Sequence, residues 1–148
     1  MTLAEFPIPD SERYLVLVNP RAAGGQPAAL RRRIGGAMAA RGVSFDIVET
    51  STPEEGLAVV RTAALRGFRA VLAAGGDGTI ALALRGTAGS TTPVGILPFG
   101  TGNQLALNFG IPLSLEEAIR VAVEGAIERI DLGRIGDERF ALIAGAGL

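Results

Sequence analysis

Along most of this chain, short unbroken apolar runs alternate with longer segments whose apolar residues recur every three or four positions. Tyr14-Leu15-Val16-Leu17-Val18 is one such run, typical of a parallel strand buried on both faces. A loop with Asn19-Pro20 and Gly24-Gly25 follows. Leu30, Ile34 and Met38 then mark one stripe of a helix from Pro27 to Arg41, which Gly42 is placed to end. Ser44 to Glu49 reads as the second strand. Thr52-Pro53-Glu54-Glu55 opens the next helix with a capping threonine, a proline and a glutamate three positions on, and Leu57, Val60 and Ala64 give its buried stripe. The third strand, Ala70 to Ala74, runs into Gly75-Gly76-Asp77-Gly78-Thr79 and a helix from Thr79 to Arg85. The fourth, Pro93 to Leu97, runs into Phe99-Gly100-Thr101-Gly102-Asn103 and a short helix. Ser114-Leu115-Glu116-Glu117 is a second capping box, opening a helix with Leu115, Ala118, Ile119 and Ala122 on one face and Gly125 at its close. Finally, Ile127 to Ile135 and Glu138 to Ala144 read as strands joined by the hairpin turn Gly136-Asp137.

Strand–helix alternation predicts a mainly parallel sheet covered on both sides, a three-layer α/β/α lobe, with an antiparallel hairpin at its C-terminal end. In such a sheet ligands sit outside the carboxyl ends of the strands. Residues 1–12, with two prolines and scattered acidic residues, read as a loose leader, 13–135 as one α/β domain, and 136–148 as the start of a connection onward. A buried-looking last strand ending in Gly145-Ala146-Gly147-Leu148, with no polar tail, is what a truncated chain would show.

Composition narrows the chemistry mainly by what is missing. The 148 residues suit one domain, long enough to bury about two-thirds of the unfolded surface. There is no cysteine and no histidine, and all the basic residues are arginine. Disulfides, thiolate zinc sites, imidazole acid–base chemistry, Ser-His-Asp triads, lysine Schiff bases and a Walker-A lysine are therefore excluded. Chemistry must rest on carboxylates, hydroxyls, amides, backbone N–H groups and bound metal. A net charge of −1 gives no field for nucleic acid, and Arg31-Arg32-Arg33 read as a solvated helix face. No apolar stretch approaches the roughly 18 residues of a membrane span, and Glu5, Asp10 and Glu12 break a signal peptide, which makes a cytoplasmic protein the expectation.

Three strands thus end in turns rich in glycine or small polar residues: Asn19–Gly25, Gly75–Thr79 and Gly100–Asn103. A parallel sheet lines them up on one edge. There, glycine lets the backbone approach a phosphate, and a following helix offers unpaired N–H groups and the positive end of its dipole. Asp77 adds a carboxylate suited to Mg²⁺, and Thr79 a hydroxyl donor. Gly78 is expected to use a positive φ. A dinucleotide fold is the rival, because Gly76-x-Gly78-x-x-Ala81 formally fits its fingerprint. The motif follows the third strand, however, and Leu97-Pro98 stands where the ribose-binding acid belongs.

Gly75-Gly76-Asp77-Gly78-Thr79 resembles the signature of the phosphofructokinase-like superfamily, which includes NAD kinases, diacylglycerol kinases and sphingosine kinases. Val18-Asn19-Pro20 with Gly24-Gly25 resembles the lipid-kinase opening strand and loop. Leu97-Pro98-Phe99-Gly100-Thr101-Gly102-Asn103 resembles the second lipid-kinase signature, and Ile130-Asp131-Leu132-Gly133 followed by Phe140 is similar to the strand pair leading out of that domain. The likeness runs from Tyr14 onward in order, which favours the diacylglycerol kinase catalytic family over NAD kinase.

That resemblance implies a phosphofructokinase/NAD kinase-like lobe followed by a β-sandwich lobe, with ATP in the cleft and a lipid hydroxyl accepting the γ-phosphoryl group. It further implies that Asn19 and Gly24 line the first ATP loop and that Thr50 contacts nucleotide. Gly75, Gly76, Asp77, Gly78 and Thr79 surround phosphates in this reading, with Gly100, Thr101 and Asn103 facing them. Asp77 is the candidate catalytic and metal carboxylate, and Asp131 a second metal candidate. Partners follow as ATP, Mg²⁺ and a diacylglycerol-like acceptor, with transient peripheral membrane contact, no nucleic acid, and a homodimer through an exposed last strand. The acceptor's base lies downstream in the family, so this stretch alone is expected to be inactive. Two departures from the pattern of many family members stand out: Ala81-Leu82 in place of Asn-Glu, and Gln104 in place of Asp. Both remove negative charge from the metal side, and leave a non-catalytic nucleotide-binding module as the alternative.

Overall fold

The computed structural model describes residues 11–141; residues 1–10 of the expected leader and the expected strand residues beyond Ala141 lie outside the described residues. Four strands form one all-parallel sheet in the order β2-β1-β3-β4, with β1 at Tyr14–Val18, β2 at Phe45–Glu49, β3 at Ala70–Gly75 and β4 at Val94–Pro98. A separate antiparallel pair joins β5 (Gly133–Ile135) to β6 (Glu138–Phe140). Every residue of β1 and β3 is buried. Side chains alternate across a strand, so two cores form. Leu15, Leu17, Val71 and Ala73 meet α2 (Pro53–Leu65), α3 (Asp77–Thr87) and α4 (Gln104–Asn108) on one face. Val16, Val18, Leu72 and Ala74 meet α1 (Pro27–Ala39) and α5 (Leu115–Glu124) on the other. The expected three-layer α/β/α lobe with its separate hairpin is what the chain forms.

The helix signals work through the atoms the sequence suggested. Thr52 Oγ1 accepts from Glu55 N–H at 3.2 Å, while Glu55 Oε2 accepts from Ser51 N–H at 2.8 Å, one residue before the usual box partner. Ser114 Oγ accepts from Glu117 N–H at 3.5 Å, but the Glu117 carboxylate turns to Arg120 at 2.9 Å, so the second box is half closed. Of the arginine run, Arg31 pairs with Glu49 and Arg33 with Glu116, all on exposed surface. Backbone hydrogen bonding at the start of α5, then Arg33, hold the Glu116 carboxyl below its usual range.

Several expected boundaries and faces move. Helix α1 stops at Ala39, because the chain tightens into 3-10-type bonds (Arg41 N–H to Met38 O, 3.0 Å) before the left-handed Gly42. The buried line of α2 is Gly56, Val59, Val60 and Ala63, and Leu57 and Ala64 are only half-buried. Gly56 has no side chain to hold off Thr50 and Leu82, so α2 settles against both and turns its face by a residue. The hairpin strands are three residues each; residues 127–132, expected as strand, form no ladder among the described residues, and Ile127 and Ile130 stay exposed.

Candidate phosphate-binding site

Chain direction decides where a site can form. From β1 the chain crosses one face through α1 to β2; from β3 it crosses the other face through α3 to β4. The two connections diverge above the β1–β3 pair, which opens a crevice at the carboxyl ends of these strands. The three glycine-containing turns lie side by side around it, since β1, β3 and β4 are neighbours. Thr50 stands one strand further out, its N–H donating to Val18 O at 3.4 Å.

Short contacts weld these turns into one unit. Asn19 N–H donates to Ala74 O at 3.1 Å and Phe99 N–H to Gly75 O at 2.8 Å, extending the ladder past the strand ends. Asn19 Oδ1 accepts from Arg21 N–H at 3.0 Å, and its Nδ2 donates to Thr79 Oγ1 at 3.4 Å, so the first loop is tied to the start of α3. Asp77 makes the strongest link. Its Oδ1 accepts from Leu105 N–H at 2.9 Å and its Oδ2 from Gln104 N–H at 3.0 Å, so the carboxylate of one helix start caps the other. Asn103, the one non-glycine residue in the left-handed region among those described, locks its own turn: Oδ1 accepts from Gly100 N–H and Nδ2 donates to Gly100 O, both at 2.9 Å. Behind it, Gly110 N–H to Leu107 O and Ile111 N–H to Ala106 O close α4 in a Schellman motif.

The glycines divide by what they are for. Gly24 and Gly25 have φ of 59° and 80°, a conformation side chains resist. Gly75 is filled by the Thr79 side chain folding back over it. A methyl on Gly100 would lie 2.5 Å from the Gly76 Cα, so these two turns meet backbone to backbone. Gly100→Ala should therefore destabilise the chain by about 1–3 kcal/mol, as overpacking does, read from the urea midpoint; an unchanged midpoint would show that the turns part freely.

Gly78 differs from all of these. Its φ is not positive, correcting the sequence expectation, and a Cβ built on it meets nothing within 4 Å. It is exposed in the first turn of α3, which starts at Asp77 instead of Thr79. Gly76, extended at ψ −169°, is the N-cap and supplies no side-chain oxygen to the first helical N–H groups. Those groups, with the dipole end behind them, face the crevice edge open to an anion.

Of the remaining candidates, Thr101 is exposed on the β4–α4 turn, and Asp131 is exposed in the irregular stretch before β5. No hydrogen bond or ion pair joins Asp131 to the turns among the described residues. The two departures from the family pattern also find places. Ala81 and Leu82 pack against the core on the α2 side, and Gln104 is the first residue of α4, held by its N–H. Sequence reasoning missed the backbone of Gln104 and Leu105 as the partners of Asp77. The acidic residue directly after Gly76 signals the earlier start of α3, but nothing local signals its partners in α4.

A parallel sheet with helices on both faces and glycine turns side by side at a switch point defines an α/β protein of the doubly wound class. The sequence pattern of the diacylglycerol kinase catalytic domain matches residues 13–135, and this chain belongs to that family. It is 34% identical over 143 residues to a diacylglycerol kinase of Mycobacterium tuberculosis, covering 91% of this chain and 46% of the relative. It is 39% identical over 97 residues to a probable lipid kinase YegS-like of Chromohalobacter salexigens, covering 63% of this chain and 31% of that one. The crystal structure of a diacylglycerol kinase from Bacillus anthracis superposes with a TM-score of 0.76 at 22% identity, over 87% of this chain and 45% of its own; it supports the fold. The chain spans about half the length of the first of these relatives and of that solved structure.

Proposed function

We propose that this chain is the ATP-holding lobe of a lipid kinase that passes the γ-phosphoryl group of ATP to a hydroxyl of a diacylglycerol-like lipid. The observation that carries this reading is Gly78. Neither backbone conformation nor packing asks for glycine there, whereas a phosphate lying on the first turn of α3 does. The names of the relatives supply the acceptor class. In this reading Gly76, Gly78 and Thr79 offer N–H groups to phosphate oxygens. Gly75, Gly100 and Asn103 shape the edge, and Asn19, Gly24, Thr50 and Thr101 flank it.

Magnesium fits only as a passenger of the nucleotide. No group of three or more His, Cys, Asp or Glu side chains converges among the described residues. Asp77 spends one acceptor position of each oxygen on α4 and keeps others. Mg²⁺ held by phosphates and waters, with this one carboxylate, suits the ion's habit. When bound it neutralises phosphate charge; the chain's own residues position the phosphates, which is most of what phosphoryl transfer demands. Asp131, standing apart, would join such a site only from a rearranged segment.

A base for the acceptor hydroxyl is a different matter, because among the described residues Asp77 is the only carboxylate that the contacts place at the turns, and both its oxygens already accept from α4. The 148 residues by themselves are therefore expected to bind Mg·ATP and not to phosphorylate lipid, a loss in which general-base assistance alone accounts for about 10²–10⁴-fold. Titration followed by NMR should move Gly76, Gly78 and Thr79. Shifts confined to another surface would refute the placement, and radiolabel transfer to diacylglycerol by this chain would refute its incompleteness. Contact with a lipid surface would be peripheral, as no helix among the described residues is long and apolar enough to cross a membrane.

A further inference from the structure

At the opposite edge of the sheet from the glycine turns, a hollow of about 530 Å³ opens between the C-terminal ends of α2 and α3 and the β5–β6 hairpin. Three arginines line it: Arg61 from α2, Arg85 from α3 and Arg139 from β6. Arg85 is already employed, lying in the last turn of α3 and bonding Glu138 at 2.8 Å. Arg61 and Arg139 are exposed and form no ion pair among the described residues. Asp137 is the one carboxylate in the lining, so with Glu138 counted on Arg85 the side chains of the hollow keep a surplus of positive charge, set against the negative dipole ends of α2 and α3. Guanidinium groups that line one space repel each other, weakly where water reaches them, and an anion between them would turn that repulsion into attraction. Leu65, one turn beyond Arg61 on the same face of α2 and 88% exposed, adds an apolar wall.

We propose that this hollow is a second anion site, which takes a phosphate group between the Arg61 and Arg139 forks. Arginine matches phosphate by paired, charge-assisted N–H bonds, and the volume lies within the range of small-ligand sites. The phosphate can come from a soluble ester or from the headgroup of an anionic lipid, which would also cover Leu65. The proposal is independent of what the glycine turns bind, because the two places lie at opposite ends of the strands.

The test follows the arginine side-chain Nε–H and the backbone N–H signals of the full 148-residue chain by NMR during titration with inorganic phosphate, against chloride at equal ionic strength. Phosphate should shift Arg61 and Arg139 saturably while Gly78 and Thr79 stay on a separate curve. Arg61→Gln should weaken the effect about tenfold, and Arg61→Lys should do so by less, since it keeps the charge and loses the fork. Flotation with phosphatidylcholine vesicles, with and without phosphatidate, separates the sources. Flotation that needs phosphatidate and is lost in Arg61→Gln assigns a lipid phosphate; phosphate binding without flotation assigns a soluble one. Equal shifts with chloride and phosphate, or affinity unchanged in both Arg61→Gln and Arg139→Gln, would overturn the site.

Discussion

Asp77→Asn is expected to cost as much stability as Asp77→Ala, about 2 kcal/mol, although the asparagine is isosteric. Both carboxylate oxygens accept from backbone N–H groups, at 2.9 and 3.0 Å. An amide must turn its own N–H₂ toward one of them and replaces that bond by a clash of donors. Charge-assisted bonds of this kind are worth about 1.5–3 kcal/mol, and the Leu105 N–H they satisfy belongs to a buried residue. In a chain of this size the loss should lower the melting temperature by about 4–8 °C. Urea denaturation of the three proteins measures it. An Asn variant as stable as the parent would mean that the carboxylate is held in reserve for a ligand and contributes little to the fold. From sequence Asp77 reads as a catalytic and metal carboxylate; its bonds to Gln104 and Leu105 give it a structural task as well.

Gly78→Ala should do the reverse, making the chain more stable and less able to hold nucleotide. The residue sits in the first turn of α3 with ordinary helical space around it. Alanine there gains about 0.5–1 kcal/mol through reduced backbone freedom in the unfolded chain. Its methyl group, harmless to the protein, would stand where the proposed phosphate approaches, and a Gly78→Val side chain would block that approach. Nucleotide affinity should drop by roughly tenfold or more in the valine variant, while the urea midpoint stays at or above that of the parent. Calorimetry and denaturation on the same samples decide the matter. Undiminished affinity in Gly78→Val would place the phosphates elsewhere on the edge.

The contrast between these two residues shows what could be read from the sequence. Periodicity located β1 to the residue and the α1 stripe of Leu30, Ile34 and Met38, because burial on both faces of a sheet leaves a plain apolar record. It also put the glycine turns on one edge, since parallel strands with helical crossovers allow no other arrangement. It could not show what each turn residue does. Asp77 and Asn103 carry the side chains expected of ligands, and in the structure both bond backbone groups of the site itself. Such tasks depend on partners 27 and 28 positions away for Asp77, a separation that no local pattern records. The hairpin was overextended for a related reason: Ile127 and Ile130 have the composition of strand residues but find no ladder partner among the described residues.

Helix α4 has five residues, far fewer than a helix needs to persist on its own strength. It exists because Asp77 closes its front and the turn at Gly110 and Ile111 closes its back. Its first turn is thereby tied to the first turn of α3, since Asp77 belongs to the one and caps the other. A ligand resting on Gly78 and Thr79 would accordingly quiet the motions of Gln104 and Leu105 without touching either.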